Sequence, residues 1–94
     1  MTSLVWSPSF VRVLRRKTQR NPQLRDKVGQ TLRRLADDPY HPSLRTHKLA
    51  GELSGTWACS VTRDIRVVFE FVTDAESGEV EIHLLTVGTH DAVY

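Results

Sequence analysis

Along this chain the spacing of apolar residues changes once, from a helical period in the first half to a period of two in the second. Phe10, Val13, Leu14 and Lys17 fall on one side of a helical projection, and Arg12, Arg15, Arg16 and Gln19 fall on another. The start signals come just before. Ser7 stands as N-cap and Pro8 at the first helical position, where a missing N–H costs nothing. The device repeats in "NPQLRDKVGQTLRRLADDP", with Asn21 as cap and Pro22 after it. Leu24, Val28, Leu32 and Leu35 then step by four, four and three, which is a core stripe. Pro39 disfavours helix at the residue before it and ends the segment at Asp38. The break at "RNP" is short, so the two helices are predicted to form an antiparallel hairpin. A short strand, Ser3 to Trp6, precedes them.

After the turn-rich connector "YHPSLRTH" the period becomes two. Thr56 to Thr62 is predicted as a strand with Trp57, Cys59 and Val61 on one face, and Ala58 and Ser60 on the other. Ile65 to Thr73 follows, with Ile65, Val67, Phe69 and Phe71 on one face, and Arg66, Val68, Glu70 and Val72 on the other. "DAESGE" reads as a hairpin loop and Glu79 to Val87 as the last strand, while Lys48 to Ala50 adds a short strand before the "GELSG" turn. The order of elements predicts an α+β fold: a short strand, a two-helix antiparallel hairpin, then an antiparallel three- to four-stranded meander with both helices on one sheet face. The second face is expected to carry Ser60, Arg66, Glu70, His83, Leu85 and Val87. A half-apolar open face of this kind implies a partner or ligand.

Length and composition bound the reading without deciding it. Ninety-four residues with 26% charged side chains make one soluble domain, expected to span 1–94. No apolar run approaches the ~18 residues of a membrane span, and the start lacks the basic region of a signal peptide. Cys59 stands alone, which suits a reducing cytoplasm and reads as a small buried apolar residue. Charge is more informative. Residues 1–48 hold eleven Lys/Arg against Asp26, Asp37 and Asp38, whereas residues 49–94 hold Arg63 and Arg66 against eight acids. A basic half on a small domain points to a polyanion, with a solvated helical surface as the plain alternative.

Candidate chemistry is then sought among few residues. The four histidines show no zinc-type spacing, so no metal site is expected; no glycine-rich phosphate loop and no nucleophile context is present. RNA cleavage needs less, because the 2′-hydroxyl of RNA is itself the nucleophile. The protein must orient the strand, neutralise charge on the phosphorane and move protons. Arg66 suits the phosphate, and His47 and His90 suit proton transfer. Tyr94 suits stacking on a base. Each has a plainer role: Arg66 paired with Glu70, His90 capping a turn after Gly88, Tyr94 tucked against the sheet, His47 an exposed loop residue. Arg63 and Asp64 lie at a tight turn, where Asp is favoured in any case.

The runs "HKLAG", "RDIRVVF" and "VGTHDAVY", in that order behind a helical hairpin, resemble the RelE/YafQ-type toxins of bacterial type II toxin–antitoxin systems. The resemblance spans nearly the whole chain. It implies a RelE-like, microbial-ribonuclease-like fold and a cytoplasmic mRNA interferase that cleaves mRNA in the ribosomal A site without a metal or other cofactor. It implies a cognate antitoxin, with DNA reached only through that complex. By position it assigns catalytic roles to His47, Asp64, Arg66, His90 and Tyr94. The basic residues Arg12, Arg15, Arg16, Arg45, Lys48 and Arg63 are expected to bind RNA. Two departures stand out: Ser60 replaces a second strand histidine, and Thr86 replaces a basic residue, so the resemblance assigns no general base. ParE-like relatives share the fold and inhibit DNA gyrase without a catalytic set. A degenerate member acting only as an antitoxin-binding co-repressor is a third reading.

Overall fold

The computed structural model describes residues 2–51 and 55–89. Its elements run β1 (Ser3–Trp6), α1 (Pro8–Thr18), α2 (Pro22–Asp37), a 3-10 turn (Pro42–Leu44), β2 (His47–Lys48), β3 (Trp57–Ser60), β4 (Ile65–Thr73) and β5 (Val80–Thr89). This is the α+β order that the hydrophobic pattern predicts. Both helices begin as expected: the Ser7 hydroxyl accepts from the Phe10 N–H at 3.0 Å, and the Asn21 side chain from the Leu24 N–H at 3.1 Å. At the other end of α2, the Asp38 N–H donates to the Arg34 carbonyl at 2.8 Å, and Pro39 stops further winding.

The described residues form a sheet of five strands in the order β1-β5-β4-β3-β2. All neighbours are antiparallel except β1, which pairs parallel to β5 at the edge, Ser3 opposite Glu81 through Trp6 opposite Leu84. The meander prediction holds for β2 to β5, but the place of β1 beside the last strand is a long-range pairing that no local pattern encodes. One sheet face buries Cys59, Val67, Phe69, Ile82, Leu84 and Val87 against Phe10, Val28, Leu32, Leu35 and Leu44. Each large side chain so buried contributes ~1.5–3 kcal/mol. Tyr40, 61% exposed, lays its ring beside Trp57 and Phe71 at 5.9 and 6.0 Å and closes one margin of this core.

Two expectations for the second face need correction. Val87 is buried in the helix-side core, 2% exposed, and does not line the second face. The cause is a β-bulge. Val68 pairs with Thr86 but Phe69 pairs with Leu84, so Leu85 is an extra residue on β5. That single insertion moves every later side chain of β5 to the opposite face from the one an unbroken alternation assigns. The second face is also less open than expected. Leu49, 8% exposed, turns in just after β2 and packs on Ala58, Val68 and Leu85. Its N–H donates to the Thr56 carbonyl at 3.0 Å. At the β3–β4 end of the sheet this cover leaves Ser60 and Arg66 half-buried.

Candidate functional site

The β3–β4 turn is built by its own hydroxyl. Thr62 Oγ1 accepts from the Asp64 N–H at 3.3 Å and the Ile65 N–H at 3.1 Å, while the Val61 N–H reaches the Ile65 carbonyl at 2.9 Å. Arg66 then folds back over the turn. Its Nη1 donates to the carbonyls of Thr62 and Arg63, each at 2.9 Å, and to that of Ile65 at 3.3 Å. Arg66 therefore does not pair with Glu70, which stands opposite His83 further along β4. Among the described residues the one ion pair is Glu81 with His83, at 3.3 Å. Arg66 lies opposite Ser60 on β3 and Gly88 on β5, and Gly88 offers no side chain to crowd it. The Nε and Nη2 donors remain for a ligand.

Two adjoining open clefts meet at this turn. One, about 710 Å³, is lined by Ser43, Arg45, Ser60, Val61, Thr62, Arg63 and Arg66. The other, about 430 Å³, shares Ser43, Ser60, Val61, Thr62 and Arg63, and is closed on its far side by Lys27, Gln30, Thr31 and Arg34 of α2. Five cations line the pair, and among the described residues no carboxylate does. Such a concave surface concentrates positive potential and selects an anion. Arg45 reaches the cleft from a left-handed backbone, φ 51°, at the end of the 3-10 turn. Ser43 is held by both neighbours: its hydroxyl accepts from Arg34 Nη1 at 2.9 Å and lies 2.8 Å from His41 Nδ1.

Of the expected site residues, Arg45, Arg63 and Arg66 come together here. His47 is exposed on β2, opposite Ala58, with Nδ1 2.8 Å from the Arg45 carbonyl. Opposed residues share a face, so His47 stands on the Arg66 side of the sheet, one row along β3 and two strands across, roughly 12 Å away by strand geometry. Lys48 instead sits over the Trp57 ring at 5.4 Å, on the other side of β2. Asp64 is exposed at the turn and lines neither cleft. Arg12, Arg15 and Arg16 do form one surface, but a separate one: they line a shallow groove with Thr18, Gln19 and Arg25. His90 and Tyr94 lie outside the described residues. Among the described residues, no group of three metal-ligating side chains is assembled.

Sequence reasoning passed over Lys27, Gln30, Arg34 and Ser43. The first three stand at i, i+3 and i+7 of α2, opposite the Val28, Leu32, Leu35 stripe, and so read as an ordinary solvated face. Cys59, by contrast, is the small buried core residue expected, 0% exposed. Burial pushes its thiol up to about 12, against the Val67 backbone N–H, which favours the thiolate. Asp74 is held below the usual carboxylate range by the amides of Ser77 and Glu76, which fixes the β4–β5 hairpin far from the clefts.

An α+β domain with this order, this sheet and a cationic cleft at the β3–β4 turn has the fold of the YoeB/ParE/YafQ-type toxins of toxin–antitoxin systems. Three solved structures carry the comparison. A YoeB/ParE toxin from Agrobacterium tumefaciens superposes with a TM-score of 0.75 at 18% identity, over 95% of this chain and 99% of that one. YafQ from E. coli gives 0.73 at 15% identity, over 100% and 99%. The E. coli DinJ–YafQ toxin–antitoxin complex gives 0.70 at 15% identity, over 99% and 97%. No protein-family model and no curated protein matches the sequence.

Proposed function

We propose that this chain is the toxin of a toxin–antitoxin pair and acts as a ribosome-dependent endoribonuclease on mRNA. The observation that carries the reading is the convergence of Arg45, Arg63 and Arg66 at one end of the sheet, with no carboxylate beside them among the described residues. An anion cleft of arginines suits a phosphodiester, because each guanidinium fork matches two phosphate oxygens and never loses its proton. Arg66 is already immobilised by three carbonyls. Little order is therefore lost when it receives the phosphate.

In this reading the substrate 2′-oxygen attacks the adjacent phosphorus and the bond from phosphorus to the 5′-oxygen breaks. The products are a 2′,3′-cyclic phosphate and a free 5′-hydroxyl. The arginines offset the charge that builds on the equatorial oxygens. The reaction needs one proton removed at O2′ and one delivered to O5′. β5 ends at Thr89, which pairs with Ile65 next to Arg66, and "HDAVY" follows it in sequence. His90 in this reading supplies the proton to O5′, and Tyr94 orients the neighbouring nucleotide. His47 and Asp64 complete the set that the family resemblance assigns. The Arg12, Arg15, Arg16 and Arg25 groove would face ribosomal RNA, and the antitoxin would silence the toxin as a protein partner.

The test is induction of the chain alone in a bacterial host at confirmed soluble expression. Incorporation of labelled amino acids should stop and ribosome-bound mRNA should be cut. Continued translation with gyrase-dependent DNA breaks would sink this reading in favour of a gyrase inhibitor.

A further inference from the structure

We infer that the α2 wall of the second cleft, Lys27, Gln30 and Arg34, is a second phosphate subsite, so that the site grips two phosphates of single-stranded RNA with Arg63 between them. The inference rests on the reading of this site as an RNA-cleaving centre, and it names residues that the reading does not use.

The two clefts are one surface. They share Ser43, Ser60, Val61, Thr62 and Arg63, so a ligand in one is continuous with a ligand in the other. Each cleft has cations of its own: Arg45 and Arg66 on the sheet side, Lys27 and Arg34 on the helix side. Lys27 and Arg34 are two helical turns apart, about 10.5 Å along α2, which gives the wall the length of a strand segment rather than of one ion. Gln30 adds a neutral hydrogen-bonding group that suits sugar and base edges.

Among the described residues no carboxylate pairs with Lys27 or Arg34, although Asp37 and Asp38 stand three and four residues after Arg34. The Asp38 side chain is spent instead on the Tyr40 N–H, at 3.2 Å. Arg34 is held toward the cleft by Ser43, which is in turn held by His41, whose Nδ1 also accepts from the Ser43 N–H at 3.1 Å. One guanidinium donor is thereby fixed, and the others are left to face an anion.

The subsite predicts a dependence on ligand length that a single phosphate site lacks. Binding is measured by fluorescence anisotropy with labelled oligouridylates of two, three and five nucleotides, blocked against cleavage by 2′-O-methylation, over a range of salt. The wild-type chain should gain roughly tenfold or more in affinity from the dinucleotide to the trinucleotide. In Lys27→Gln/Arg34→Gln that gain should vanish while dinucleotide binding stays, and the salt slope should fall by one to two units. Arg63→Gln should weaken every length. Lys27→Glu, whose side chain makes no described bond, repeats the test without touching the Ser43 contact, and thermal melts confirm folding. A double variant that keeps the full length gain overturns the subsite and leaves the nuclease reading standing. A wild-type chain that binds none of the oligouridylates overturns both.

Discussion

Arg66 Nη1 donates to the carbonyl of Thr62 at 2.9 Å, so the side chain at the start of β4 holds the turn that precedes it. The same guanidinium faces the cleft. One residue thus couples the shape of the site to its charge. Arg66→Ala is expected to slow cleavage of ribosome-bound mRNA a hundredfold or more, about 3 kcal/mol of transition-state stabilisation. It should also lower stability by ~1–2 kcal/mol as the turn carbonyls lose their donor. Arg66→Lys should recover charge but not the fork, and hence little activity. Single-turnover cleavage and denaturant unfolding separate the effects, and a fall of less than tenfold in turnover would count against a phosphate contact.

Arg45 holds a charge in the cleft at the expense of backbone comfort. Its φ of 51° lies where a side chain costs ~1–2 kcal/mol relative to glycine. Arg45→Gly should therefore raise the melting temperature by several degrees, ~4–8 °C for each kcal/mol relieved. The same variant should bind RNA more weakly and cut more slowly. A variant both less stable and fully active would show that the arginine serves the fold.

His90 lies outside the described residues and follows in sequence on Thr89, the last residue of β5. His90→Gln keeps a donor and loses the acid. Single-turnover cleavage should drop about a hundredfold, and its pH dependence near neutrality should flatten. Unchanged rates would move proton delivery to another group.

The bulge at Leu85 has a direct test in Val87. A hydroxyl introduced by Val87→Thr would be buried among Phe10, Val67 and Leu84 without a partner and should cost ~1–3 kcal/mol. The same change at Val80, 47% exposed, should stay within about 0.5 kcal/mol. Equal costs at the two positions would mean that β5 runs without the insertion.

Cys59 makes stability depend on alkali. Its thiol is raised from the ordinary 9.0 to about 12 by burial, so the folded chain keeps a proton that the unfolded chain releases. The contribution is whole below pH 9 and is lost as pH rises from there toward about 12, at up to ~1.4 kcal/mol per pH unit. Unfolding followed from pH 8 to 11 should show a steeper fall for the wild-type chain than for Cys59→Ala. Parallel curves would mean that the thiol ionises freely in the folded state.

The local chemistry of this chain was legible without coordinates. Ser7–Pro8 and Asn21–Pro22 start helices through bonds that span three residues, and the Val28, Leu32, Leu35 stripe follows from the helical period alone. The inward faces of β3 and β4 follow from alternation, and the arginines at 45, 63 and 66 stand out in a basic half followed by an acidic one. What depended on distant pairing was not legible. Counting by twos cannot reveal an inserted Leu85, because the bulge exists only against β4; the count therefore put Val87 on the wrong face. The parallel place of β1 beside β5 is a contact between the two ends of the chain. The helix wall of the cleft was hidden for the same reason: Lys27 and Arg34 look like solvated positions until the fold brings Ser43, Ser60 and Arg63 across from them. Periodicity reports which side of its own element a residue occupies, and only the packing of elements decides which charges meet.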